Sequence, residues 1–175
     1  MSEPSPDTAP FPPEQIGAFL RLCAGEWMSL RSQFALGAVD AADSDSAEDL
    51  GEDGEAWHSS ERGELVVAFL EAEAADGAGG LQVGPKDGVA KQQLHFDANG
   101  GFSSGEQQGR WQLWPDGSLE LVITGDGREV RERIWFTKPN LRLRSTVETS
   151  AAGSPGRASF SSEIRRVSRP TVPAS

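Results

Sequence analysis

The chain has one cysteine, Cys23. No internal disulfide can form and no cysteine-based metal cluster can be assembled within one chain, so a reducing cytoplasm suits it. Long hydrophobic runs are also missing. The longest strongly apolar stretch, Leu65 to Leu70, is far too short to cross a bilayer, and the start MSEPSPDTAPFPP lacks the basic end and apolar stretch of a secretory signal. A soluble, unsecreted, cytoplasmic protein is expected. Cations are scarce: 16 Lys and Arg against 27 Asp and Glu give a net charge of −11. Phosphate contacts need a concentrated basic surface, which argues against a nucleic-acid partner. The only histidines, His58 and His95, read as surface or core residues.

With 175 residues, 37% hydrophobic and 25% charged, the chain fits one globular domain over residues 13–168 with a modest core. Residues 1–12, rich in Pro, Ser and acid, read as a disordered arm, and 169–175 as a disordered tail. From Asp40 to Glu55 there are eight carboxylates and no Lys or Arg. Such a segment buries too little apolar area to offset chain ordering, so an acidic flexible insertion is expected over about 39–60. It lacks the ligand spacing of a calcium loop. Charge is uneven along the chain: ten of the cations lie from Arg128 onward, beside only four carboxylates, Glu129, Glu132, Glu148 and Glu163.

Ile16, Phe19, Leu20 and Cys23 fall at helical spacing between Pro12–Pro13 and Gly25, predicting a short amphipathic helix with Cys23 on its apolar stripe. After Gly25 the period becomes two: Met28, Leu30, Ser32, Phe34 and Leu36 share one face, and Trp27, Ser29, Arg31 and Gln33 the other. Further strands are predicted at Glu64–Glu71, Ala90–Phe96, Arg110–Trp114, Leu119–Thr124, Glu129–Thr137, Leu141–Thr149 and Ala158–Val167. The Gly-rich stretch Asp76–Gly88 reads as a loop. The fold class is mainly β: a short N-terminal α-helix and then at least seven strands forming an antiparallel sheet that closes into a barrel or a sandwich.

Two features carry candidate chemistry. On the strand from Leu141, Arg142 and Arg144 share a face, with backbones roughly 6 to 7 Å apart, and can grip two carboxylates by forked contacts. Inside a barrel such a pair calls for an anion; facing water it explains nothing. On the preceding strand Glu132 shares a face with Ile134 and Phe136, and beside arginines it is either a structural ion-pair partner or a proton donor and acceptor for a bound nitrogen base.

The stretch ERIWFTKPNLRLRS, Glu132 to Ser145, resembles the signature of the S-type phycobilin lyases, the CpcS/CpeS family. GRW at Gly109–Trp111, DGSL at Asp116–Leu119, SFSSEIRR at Ser159–Arg166 and CAGEWMSLRS at Cys23–Ser32 resemble family positions in the expected order. The resemblance covers residues 15–36 and 105–167. After Arg31 the chain departs from the family's paired histidines, with Ser32 to Ala35 in their place.

The resemblance implies a lipocalin-like antiparallel β-barrel that binds a phycobilin and attaches it, as a thioether, to a cysteine of an apo-phycobiliprotein. It assigns Glu132 and Arg142 to catalysis and Arg31, Arg142 and Arg144 to bilin binding. Gly25, Glu26 and Trp27 take the place of a barrel-closing Gly-x-Trp, with Arg165 or Arg166 over the indole. The bilin is the substrate, and neither metal nor resident cofactor is implied. A related lyase subunit or a second copy is a further expected partner. Alternatives are a non-catalytic subunit of a heteromeric lyase and a soluble bilin carrier. Arg142→Ala is expected to weaken bilin binding while leaving the fold intact.

Overall fold

The structure, a computed structural model, describes residues 9–36, 58–90 and 92–167, with the side chain of Pro155 excepted. Most of the expected arm, most of the expected insertion and the expected tail lie outside the described residues. Residues 9–12 are described, and Pro12 packs so tightly on Gly117 that a Cβ at that glycine would collide with its ring. No helix among the described residues is long and apolar enough to cross a membrane.

Among the described residues one helix, α1 (Ile16–Cys23), precedes ten strands: β1 (Gly25–Ala35), β2 (His58–Leu70), β3 (Gly77–Pro85), β4 (Gln92–Asp97), β5 (Gly101–Ser104), β6 (Gln107–Leu113), β7 (Leu119–Gly125), β8 (Arg128–Lys138), β9 (Leu141–Ser150) and β10 (Pro155–Arg165). Each strand pairs antiparallel with its sequence neighbours, and β1 pairs with β10 to close the barrel. Closure leaves none of these ten strands at a free sheet edge. Of the two predicted architectures, the barrel is the one formed.

The predicted loop Asp76–Gly88 instead contains β3. Its glycines are there for close approach: a Cβ at Gly80 would lie 2.3 Å from the Leu94 carbonyl oxygen, and one at Gly79 would strike the Phe69 ring. Glycine in a strand marks such crowding as readily as it marks a turn. The short strand β5 was likewise not predicted from the sequence.

Helix α1 plugs one end of the barrel. Phe19, Leu20 and Cys23 are buried there, and Phe19 meets Phe136 of β8 edge to face, with ring centroids 5.3 Å apart. Trp27 closes over this end, donating its Nε1–H to the Cys23 carbonyl at 2.9 Å. The helix ends without the usual glycine cap; Arg165 takes its place, donating to the carbonyls of Leu22 and Ala24 and, at 3.1 Å, to the side chain of Asn140. These contacts satisfy carbonyls that a helix terminus leaves open and tie α1 to both the last strand and the β8–β9 turn.

Gly25 makes that approach possible. Its φ is +142°, and a Cβ would stand 2.5 Å from Nη1 of Arg165. Gly25→Ala is expected to cost about 1–3 kcal/mol through combined backbone strain and displacement of Arg165. A shift of the urea midpoint at constant slope is the readout, and an unchanged midpoint would contradict it.

Candidate functional site

The inward residues of β1, β10, β9 and β8 form rows across the sheet. Nearest the plugged end, Ser29 lies opposite Glu163, Glu163 opposite Arg142, and Arg142 opposite Phe136. The next row runs Arg31, Ser161, Arg144, Ile134. Glu132 stands one row further out, opposite Thr146. Period-two alternation therefore places the two arginines on the interior, and they line a cavity of about 240 Å³ together with Arg31, Glu132 and apolar side chains that include Leu81, Phe96 and Leu121.

Arg142 is only 3% exposed. Its Nε donates to Glu163 Oε2 at 2.5 Å, and its guanidinium lies 4.6 Å from the centre of the Trp27 ring. Burial works against its charge, yet the Glu163 carboxylate beside it favours the cation, and the guanidinium lies above its ordinary pKa. Arg165 also stands over Trp27, at 4.3 Å. One indole thus meets two cations. Arg166, the other expected partner of Trp27, instead pairs with Glu64 on the outer side.

Arg144 is less enclosed. Its Nη1 is 3.5 Å from Glu132 and its Nε is 3.3 Å from Glu163 Oε1. The second contact has ion-pair distance without hydrogen-bond geometry, so both atoms stay unpartnered. Arg31 makes no ion pair among the described residues; its Nη2 reaches Ser159 at 3.4 Å and its Nε is buried without a hydrogen-bond partner. A buried donor left unmade is costly, and two such donors line one cavity.

Glu163 is the residue that sequence reasoning missed. It is fully buried and bridges Arg142 and Arg144. Its only sequence signal is that it shares strand parity with Arg165, and its facing of Arg142 depends on a register that the sequence does not print. Its presence alters one expectation: Arg142→Ala would strand a buried carboxylate and expose the Trp27 face, so a loss of stability is expected along with any loss of binding.

Cys23 is buried beside Arg142, and burial pushes its thiol above the ordinary value, opposed by the Arg142 charge and hydrogen bond. A protonated, inaccessible thiol is a poor nucleophile. Native protein is expected to resist a thiol-titrating disulfide reagent over hours and to release one equivalent once unfolded in guanidinium; rapid native labelling would refute this.

A family model described as CpeS-like protein matches residues 86–166. The chain is 41% identical over 167 residues to chromophore lyase CpcS/CpeS 1 of Paulinella chromatophora, covering 94% of this chain and 96% of that one. The chain belongs to the CpcS/CpeS chromophore lyase family. A second member of that family, chromophore lyase CpcS/CpeS 1 of Trichodesmium erythraeum, is 43% identical over 68 residues, 39% of this chain and 38% of that one. The S-type phycobiliprotein lyase CPES from Guillardia theta shares the fold, with a TM-score of 0.64 at 18% identity over 89% of this chain and 94% of that one. For this CpcS/CpeS chain, the match to the Paulinella relative extends well beyond the two blocks that carried the resemblance, through the acidic middle.

Proposed function

We propose that this chain binds a phycobilin by its propionates in the barrel and transfers it to a cysteine of an apo-phycobiliprotein, forming a thioether. The observation that carries this reading is the pair of buried guanidinium donors without a hydrogen-bond partner among the described residues, Nε of Arg31 and Nε of Arg144, on the wall of one cavity. Flanking Ser161 in a single row, they are two strand spacings apart, roughly 10 Å between backbones. Two carboxylates of one ligand can engage them separately. Arg142, already neutralised by Glu163, acts from behind, holding Glu163 in place against Arg144.

Glu132, near Arg144, would face the pyrrole nitrogens and stabilise the protonated, more electrophilic tetrapyrrole. The acceptor's sulfur then adds to the exocyclic ethylidene carbon, and the thiol's proton is taken up by the tetrapyrrole, so no atom is lost. The nucleophile comes from the acceptor; Cys23 is closed off. A cavity of about 240 Å³ is smaller than most ligand pockets, so the bilin would be enclosed only in part and the rest would lie toward the open end. Holding one conformer of a flexible ligand is then the main catalytic contribution. Trp27 and Arg165 serve barrel closure, and the single closed-off thiol suits a reducing cytoplasm.

The test is incubation of the purified chain with a phycobilin and a panel of apo-subunits, followed by denaturing electrophoresis and zinc fluorescence. Covalent product without a second lyase protein is expected. Bilin binding with no product from any pairing would overturn the autonomous-lyase reading.

A further inference from the structure

The outer wall made by β8, β9, β10 and β1 is apolar where a solvent-facing sheet is normally polar. Met28 and Leu30 are 43% and 44% exposed, and Phe160 and Ile164 are 42% and 52% exposed. The register joins them into one surface: Ile164 lies between Met28 and Leu141, and the next row holds Leu30, Ser162, Leu143 and Trp135. The Trp135 and Phe160 rings are 6.3 Å apart. Four strands by three rows of outward residues cover roughly 400 Å² at about 4.8 Å between strands and 6.8 Å between alternate residues. Seven of those twelve positions are apolar and five are not (Ser32, Ser145, Ser162, Arg133 and Lys138), so the apolar part is roughly 230 Å². A contiguous apolar patch of that order on an outer sheet face is a candidate interaction site.

Charge and area narrow the occupant. Arg62 stands opposite Leu30 on one flank and Lys138 opposite Leu141 on the other, and neither has a carboxylate partner among the described residues. The other flanking cations, Arg166 and Arg133, are already held by Glu64 and Asp116. The unneutralised charges beside the patch are thus both positive, on a chain whose net charge is −11. A second copy would bring the same cations, and a stable dimer needs about 800 Å² from each partner, twice the whole of this wall. A transient partner with an apolar surface rimmed by carboxylates satisfies both constraints.

We propose that this wall docks the acceptor apoprotein. The inference rests on the transfer reading above. The strand that carries Arg142 and Arg144 inward carries Leu141 and Leu143 outward, and the wall runs up to the open end at Phe160 and Val147. An acceptor seated there can reach over the rim to the unenclosed part of the bilin.

Two outer-wall variants test it, Leu30→Glu with Ile164→Glu, and Arg62→Glu with Lys138→Glu, none of them in the cavity lining. Association of the bilin-free chain with apo-α and apo-β phycobiliprotein subunits is measured by biolayer interferometry. Phycocyanobilin affinity is measured separately by absorbance, and self-association by sedimentation velocity. Both variants are expected to raise the acceptor Kd tenfold or more while phycocyanobilin affinity stays within twofold. An unchanged acceptor Kd in both variants, or no association of the wild type with any subunit, overturns the docking inference. So does a wild-type dimer that the Leu30/Ile164 variant splits with acceptor affinity intact, which assigns the wall to a second copy. Failure of the transfer reading shows independently, as absence of phycocyanobilin binding by the wild type.

Discussion

Glu163→Ala is expected to lower the unfolding free energy by about 3–5 kcal/mol, the usual cost of removing one member of a buried ion pair. Glu163 is fully buried and Arg142 nearly so, and they meet at 2.5 Å. With the carboxylate gone, the Arg142 charge would stay locked between Trp27 and the helix end without its one ion-pair partner among the described residues. Cys23, its other close neighbour, cannot supply one because burial holds its thiol protonated. For a domain of this size the loss corresponds to a fall in melting temperature on the order of 10 °C. Glu163→Gln keeps an acceptor but not the charge and should fall between. The double variant Glu163→Leu with Arg142→Leu should be more stable than the sum of its parts, because neither charge is then stranded. A loss below about 1 kcal/mol in the alanine variant, read from urea unfolding, would mean that water reaches Arg142.

Arg31→Ala and Arg144→Ala should each weaken phycobilin binding by about 1.5–3 kcal/mol, roughly 10- to 150-fold, the worth of one charge-assisted hydrogen bond. Neither change should unfold the barrel. Arg31 has no ion pair to lose among the described residues, and of the two partners of Arg144, Glu132 is partly exposed and can be hydrated while the buried Glu163 keeps its pairing with Arg142. Lysine should restore little, since a point charge cannot reproduce a forked contact. Absorbance titration with a phycobilin gives the affinities, and circular dichroism shows whether the fold is kept. If both alanine variants bind with wild-type affinity, the propionates lie elsewhere.

Much of the fold could be read from residue spacing, for identifiable reasons. The helix ending at Cys23 and the strands from Leu119 onward carry clean periods and tight turns, and they appear close to where the spacing put them. The strand β3 did not, because Gly79, Gly80 and Gly84 answer to crowding by distant backbone and rings, which only the assembled sheet contains. The two faces of β1 were legible, but not which of them is the interior: Met28 and Leu30, the apolar face, point outward, while Trp27 and Arg31 point in. Hydrophobicity ordinarily decides that question, and in this protein it gives the wrong side. Arg142 and Arg144 were legible as a same-face pair for the same period-two reason. Glu163 was not, since its role comes from cross-strand register with Arg142.

The barrel is closed by the pairing of its first strand with its last, and the Arg165 contacts to Leu22 and Ala24 span more than 140 positions of the chain. Contacts of such sequence separation form late, after the entropy of closing a long loop has been overcome. During synthesis, β1 waits with an open edge, and Arg31 has neither Ser161 nor Arg144 beside it until β9 and β10 leave the ribosome. The wall that carries Arg31, Ser161 and Arg144 therefore exists only after β9 and β10 have joined β1, and the cavity cannot hold a ligand before then.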